Sequence, residues 1–152
     1  MKKFIILVII SLSAAIAHAQ TLFESCEDTP GISTVYVSKA MISLAGDLNI
    51  EANSMDFGKI ASKIDGLWIM TAEGDKAATL KDKAKNAFNN KKYEKLVSVR
   101  EDNETVDILM GTAGDNKNEC IIKAFEKSEA TVVIIRGTFT LQDIVTATKA
   151  GR

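Results

Sequence analysis

Histidine is all but missing from this chain. The one present, His18, falls in an N-terminal stretch with the marks of a secretory leader. Lys2 and Lys3 form a short basic start, residues 4–16 are almost wholly apolar, and Ala17-His18-Ala19 places small residues where a signal peptidase reads them. Residues 1–19 are therefore expected to be a signal peptide cleaved before Gln20, giving a periplasmic or secreted protein. The apolar run is too short to span a bilayer, which takes about 20 such residues. Phe23-Glu24-Ser25 ahead of Cys26 makes no lipobox, so no lipid anchor is expected. Without His18 the mature chain has no imidazole, which removes the usual general base near neutral pH, the Ser-His-Asp and Cys-His constellations, and most common zinc and copper sites.

Other absences narrow the reading further. There is no C-x-x-C pair for thioredoxin-like redox chemistry. Proline occurs once, at Pro30, aromatics make up 6% of residues, and no repeat or low-complexity tract interrupts the chain. Loss of the two leader lysines leaves 17 basic against 20 acidic residues, a formal charge of −3. That balance argues against a nucleic-acid partner, which needs an excess of Lys and Arg. Two cysteines remain, Cys26 and Cys120. In an oxidising compartment they can form a disulfide that ties the N-terminal arm to the sheet; alternatively Cys120 is a small buried hydrophobe and Cys26 is free on the arm.

What is present organises around the stretch from residue 93 to residue 139. Four segments, 93–101, 105–110, 119–127 and 131–139, are rich in β-branched and large apolar residues and are bounded by Asp, Asn, Gly or Ser, so they are expected to form an antiparallel meander whose third turn is at Ser128-Glu129. Before it, residues 20–31 are expected as an arm, 32–37 as a strand, and 39–45 as a short helix capped by Ser38. Residues 47–54 are expected as a loop. Phe57, Ile60, Ala61 and Ile64 fall at i, i+3, i+4 and i+7 and predict a helix over about 55–64. Residues 67–72 form an apolar run expected as a central strand, and 76–89 an amphipathic helix with Ala77, Leu80, Ala84 and Ala87 or Phe88 inward. After the meander, Thr140 and Asp143 resemble a capping box opening a helix whose packed stripe is Leu141, Ile144, Val145 and Thr148. The expected fold is one α+β domain over residues 32–150: a two-layer, largely antiparallel sheet with a C-terminal four-strand meander and helices packed on one face.

Three groups are weighed as sites. The stretch from Gly111 to Lys117 is superficially like a phosphate-cradling loop, but it lacks the Gly-Lys-Ser/Thr ending and is expected to be a mobile hairpin loop over 111–118. Glu101, Asp102, Glu104 and Asp107 have no calcium-loop spacing and are expected as a solvated turn. The lysines at 76, 81, 83, 85, 91, 92 and 95 are weighed as a basic surface for anionic lipid or glycan, but acidic residues lie among them and a solvated outward face of an amphipathic helix is expected. Asn103-Glu104-Thr105 fits a glycosylation sequon, which matters only in a host that glycosylates. No catalytic, cofactor-binding or metal-binding residue is assigned.

Val35-Tyr36-Val37-Ser38-Lys39-Ala40-Met41, the passage Ile64-Asp65-Gly66-Leu67-Trp68-Ile69, and the closing Gly137-Thr138-Phe139-Thr140 together give the chain a recognisable pattern. Over most of residues 30–150 it resembles the domain of unknown function 4252 family of secreted Gram-negative bacterial proteins. That resemblance implies an α+β periplasmic domain, transfers no catalytic residue, and favours an accessory role in envelope signalling. The leading expectation is a non-enzymatic binding module with a protein partner in the cell envelope, no cofactor and no stable membrane span. One alternative is a carboxylate- or lysine-dependent hydrolase. The other is a structural or assembly protein acting by edge-strand pairing, for which a long unprotected edge at Tyr93–Glu101 would be the sign.

Overall fold

The computed structural model describes residues 18–47, 51–52, 55–56, 60–89 and 92–150. Residues 1–17 of the expected leader lie outside them. The element order is α1 (His18–Glu27), β1 (Ile32–Ser38), α2 (Lys39–Asp47), β2 (Glu51–Ala52), β3 (Met55–Asp56), a 3-10 turn (Ala61–Lys63), β4 (Ile64–Glu73), α3 (Asp75–Ala87), β5 (Tyr93–Glu101), β6 (Glu104–Gly114), β7 (Lys117–Phe125), β8 (Glu129–Gly137) and α4 (Leu141–Ala150). Six strands form one antiparallel sheet in the order β1-β4-β8-β7-β6-β5, while β2 and β3 form a small separate ribbon. The meander β5–β8 folds back so that its last strand docks on β4, which places β8 inside the sheet and leaves β1 and β5 as edges.

The α+β class, the antiparallel sheet and the meander are as the sequence predicts. Because side chains alternate along each strand, the sheet has two different cores. On the first face Met70, Ala72, Leu109, Ile121, Val132 and Ile134 pack beneath α1 and α3, which contribute Leu22, Phe23, Cys26, Ala77, Leu80, Ala84 and Phe88. On the second face Cys120 packs with Ile42 of α2, with Ile60, Ala61 and Ile64 around the 3-10 turn, and with Phe139 and Ile144 at the C-terminal end. The helices are thus shared between the two faces instead of gathering on one. A single helical layer could not have covered the apolar residues of both.

Several elements depart from expectation. The arm over 20–31 is mostly helix: Leu22, Phe23 and Cys26 lie on one side of α1 and are buried, and the helix ends where Thr29 donates its hydroxyl to the Ser25 carbonyl at 2.8 Å. Of the helix expected over 55–64, residues 55–56 instead form β3, 61–63 the 3-10 turn and Ile64 the start of β4, while Phe57 lies outside the described residues. Residues 47–54, expected as a loop, include β2. The mobile loop over 111–118 is instead a tight hairpin, since β6 runs to Gly114 and β7 resumes at Lys117 with Asp115 and Asn116 both at positive φ. Two such residues in succession are what a two-residue primed turn requires. Thr140 and Asp143 do form the capping box: the Thr140 N–H donates to the Asp143 carboxylate at 2.7 Å and the Asp143 N–H to the Thr140 hydroxyl at 3.2 Å. Of the stripe expected on α4, however, Ile144 packs while Leu141 and Val145 stay exposed, and the side chain of Thr148 lies outside those described.

Candidate functional interface

The second face carries a row of β-branched residues that crosses every strand. Register sets Val35 beside Ile69, Ile69 beside Val133, Val133 beside Ile122, Ile122 beside Ile108, and Ile108 beside Val97. None of the six is fully buried, and the end members Val35 and Val97 are 50% and 43% exposed. On one side of the row, α2, the 3-10 turn and Phe139 close the core over Leu67, Ile135, Cys120 and Met110. On the other side the next row, with Thr71, Thr131, Ala124, Val106 and Val99, has no helix over it among the described residues. The result is an open apolar strip where a solvated antiparallel face would ordinarily alternate to polar residues. Contiguous exposed apolar surface of this kind marks interaction sites.

The first face holds a buried polar network. Arg136 donates from Nη2 and Nε to Glu119 Oε1 at 2.7 and 3.1 Å, and the Tyr93 hydroxyl donates to Oε2 at 3.0 Å. The Arg136 guanidinium also lies 5.3 Å from the centre of the Trp68 ring, which in turn is 5.2 Å from Tyr36. Burial, reinforced by the neighbouring Glu119 charge, pushes the Tyr93 phenol above its ordinary pKa. Glu119 is fully buried with both oxygens occupied, so the network clamps the sheet and offers no accessible acid or base. Sequence reasoning missed it, because only the cross-strand register brings these residues together.

A second cluster centres on Asp107. Ser98 donates its hydroxyl to it at 2.7 Å, and Lys95 and Lys123 stand at 3.7 and 3.8 Å. Burial pushes the Asp107 carboxyl up, but the Ser98 hydrogen bond and the nearby cations outweigh it and hold the group below the usual range. Burial lowers the Lys123 ammonium, with Asp107 opposing. The lysine is therefore paired and not poised as a free nucleophile.

The residues weighed from the sequence disperse. Glu101, Asp102 and Glu104 sit exposed at the β5–β6 turn, while Asp107 lies apart and buried. Glu101, Asp102 and Glu104, without Asp107, line an open polar groove of about 460 Å³ with Glu126, Lys127 and Ser128, and no cluster of three or more His, Cys, Asp or Glu among the described residues could hold a metal ion. The lysines engage separately: Lys81 with the Glu126 carbonyl, Lys83 with the Ser25 hydroxyl at 2.5 Å, and Lys95 with Asp107, while Lys91 lies outside the described residues. Cys26 and Cys120 are both free and buried, Cys26 on α1 in the first-face core and Cys120 on β7 in the second. The sheet itself stands between them, which rules out the bridge. Burial raises both thiols, that of Cys120 to about 11, while the Lys83 charge opposes the rise at Cys26.

Among the described residues no helix is long and apolar enough to cross a membrane. No curated protein and no solved structure matches the chain. A family model does match, over residues 23–147, from α1 through all six strands of the sheet and into α4. The chain belongs to that family, described as Domain of unknown function (DUF4252).

Proposed function

We propose that this protein is a non-enzymatic interaction module of the periplasm or of the secreted fraction. In this reading a protein partner in the cell envelope lays an apolar surface on the strip around Ile122, Ile108 and Val97. The observation that carries it is the six-residue row, left half-open on a face whose remaining end is well packed. The polar clusters support the same reading, since the carboxylates of Glu119 and Asp107 and the half-buried Lys123 are held by their own neighbours. A carboxylate- or lysine-dependent hydrolase is the weaker alternative for that reason. An accessory role in envelope signalling fits a surface that binds without turnover.

The test compares capture of envelope proteins by the native chain and by a Val97→Glu, Val99→Glu variant. Both positions are exposed on β5, so the fold tolerates the change. A defined partner held by the native chain and lost by the variant is the expected result. If capture returns nothing, and a broad ligand screen leaves the melting temperature unmoved, the reading fails, because a ligand of the native state must raise it. Export is checked separately: the protein recovered from the periplasm should begin at Gln20, two residues inside α1.

A further inference from the structure

The two edges of the sheet are unlike. β5, the edge singled out from the sequence, is guarded by Glu94, Lys95, Arg100 and Glu101 and by a bulge between Lys95 and Val97. Charges and bulges are how natural sheets prevent a foreign strand from pairing. β1 has neither: it reads Ile-Ser-Thr-Val-Tyr-Val-Ser, and all seven residues pair with β4 without a register shift. Val35 and Tyr36 point to opposite faces and are 50% and 53% exposed, so at mid-strand neither face of this edge is covered. Outside the ladder, the backbone hydrogen bond found on β1 among the described residues is that of the Ile32 N–H with the Thr29 carbonyl. The outward N–H and C=O groups of the remaining strand form a template for pairing.

The apolar surface concentrates at the same place. Of the eight large apolar side chains exposed among the described residues, Val35, Tyr36, Met41 and Leu44 belong to β1 and α2. α2 follows β1 directly in the chain and packs on the second face through Ile42, leaving Met41 and Leu44 exposed.

We propose that β1 pairs with β1 of a second copy of this chain, antiparallel about a two-fold axis at Val35, joining the two sheets into one. Full overlap of the seven residues fixes that axis. Val35 then faces its own copy, Thr34 meets Tyr36, Ser33 meets Val37 and Ile32 meets Ser38. A slip of one residue sets inward-pointing backbone groups against outward-pointing ones, so the register is held by the ladder itself. No charge lies on the strand, so the self-pairing brings no like charges together. Because a two-fold contact uses the same edge twice and β5 is guarded, assembly closes at two copies and does not propagate as a fibre. The pairing is independent of the partner proposed above, since it needs no other protein.

Sedimentation of the purified protein across micromolar concentrations should give a dimer. Val35→Lys, which puts two like charges on the axis, should halve the apparent mass while leaving the circular dichroism spectrum unchanged; Val97→Lys on β5 should leave the dimer intact. Under mild oxidation Val35→Cys should cross-link the copies and Ser33→Cys should not. In this register the two Ser33 positions are offset by about 13 Å along the strands, beyond the roughly 7 Å limit for a disulfide. The native thiols are buried and do not confuse the readout. A native protein that stays monomeric throughout, or a dimer that survives Val35→Lys and fails to cross-link through Val35→Cys, overturns the proposal.

Discussion

Glu119 has no contact with solvent, and an ionised carboxylate in that position is tolerable only if its charge is matched on the spot. Arg136 supplies two N–H donors and the opposite charge, Tyr93 supplies the third donor, and Trp68 lies within reach of the guanidinium. Arg136→Leu is therefore expected to destabilise the fold by roughly 3–5 kcal/mol, as for other broken buried pairs. Tyr93→Phe, which removes one donor, should cost about 1 kcal/mol. Urea unfolding of the two variants decides; equal costs would mean that the carboxylate does not depend on its ion pair. The network was not legible in the sequence because it depends on the β7–β8 turn. The sequence places that turn at Ser128-Glu129, whereas β8 already begins at Glu129 and pairs Phe125 with Ala130. Moving a hairpin turn by one residue moves every cross-strand partner by two, and Glu119 loses Arg136 in such a shift.

At the scale of elements, the least legible stretch is the passage into β4. Ile60, Ala61 and Ile64 are all buried on the second face, as the helical spacing requires, yet a 3-10 turn running into a strand buries the same positions. Apolar spacing over so few residues does not separate the two. Gly137 makes this junction possible. A Cβ there would lie 2.0 Å from the Lys63 carbonyl oxygen and 2.9 Å from the Ile64 Cα, and the next residue, Thr138, donates its N–H to that same carbonyl at 2.8 Å. The atoms in the way are backbone, so they cannot swing aside. Gly137→Ala should cost at least the roughly 1–3 kcal/mol typical of overpacking. At Gly66 the obstacle is the Trp68 ring, a side chain that can rotate, so Gly66→Ala should cost less. Thermal unfolding of the pair checks the order. The meander was legible because its strands are long, β-branched and separated by turn residues, whereas α1 hid Leu22, Phe23 and Cys26 among polar residues ahead of Pro30.

Taken whole, the molecule is a sheet with a separate core on each side, and its aspartates join the parts. Asp65, where β4 begins, reaches Lys117 of β7 at 2.9 Å and Lys39 of α2 at 3.3 Å. Asp143 joins α4 to Lys63 of the 3-10 turn at 2.7 Å, and Asp107 links β6 to β5 and β7. The two-sided core also keeps the cysteines apart: protein unfolded in denaturant without reductant should take up two alkyl groups, and a mass showing none would contradict the placement of the sheet between Cys26 and Cys120. The acid response follows from the aspartates. Lys117, with Lys39, holds the Asp65 carboxyl below its ordinary range, and Lys63, with the Thr140 N–H, does the same for Asp143. Hydrogen bonding and nearby cations outweigh burial at Asp107. Each group binds its proton less readily folded than unfolded, so the stabilisation is present above the unfolded aspartate pKa of about 4 and is lost as pH falls through the lower folded value. The urea midpoint should therefore stay level from pH 7 to about 5 and then decline toward pH 3. Asp65→Asn should lower the plateau and flatten the decline, because it removes both the ionic link and the proton that breaks it. A native midpoint that holds down to pH 3 would show that hydrophobic packing alone keeps α2, α4 and the sheet together.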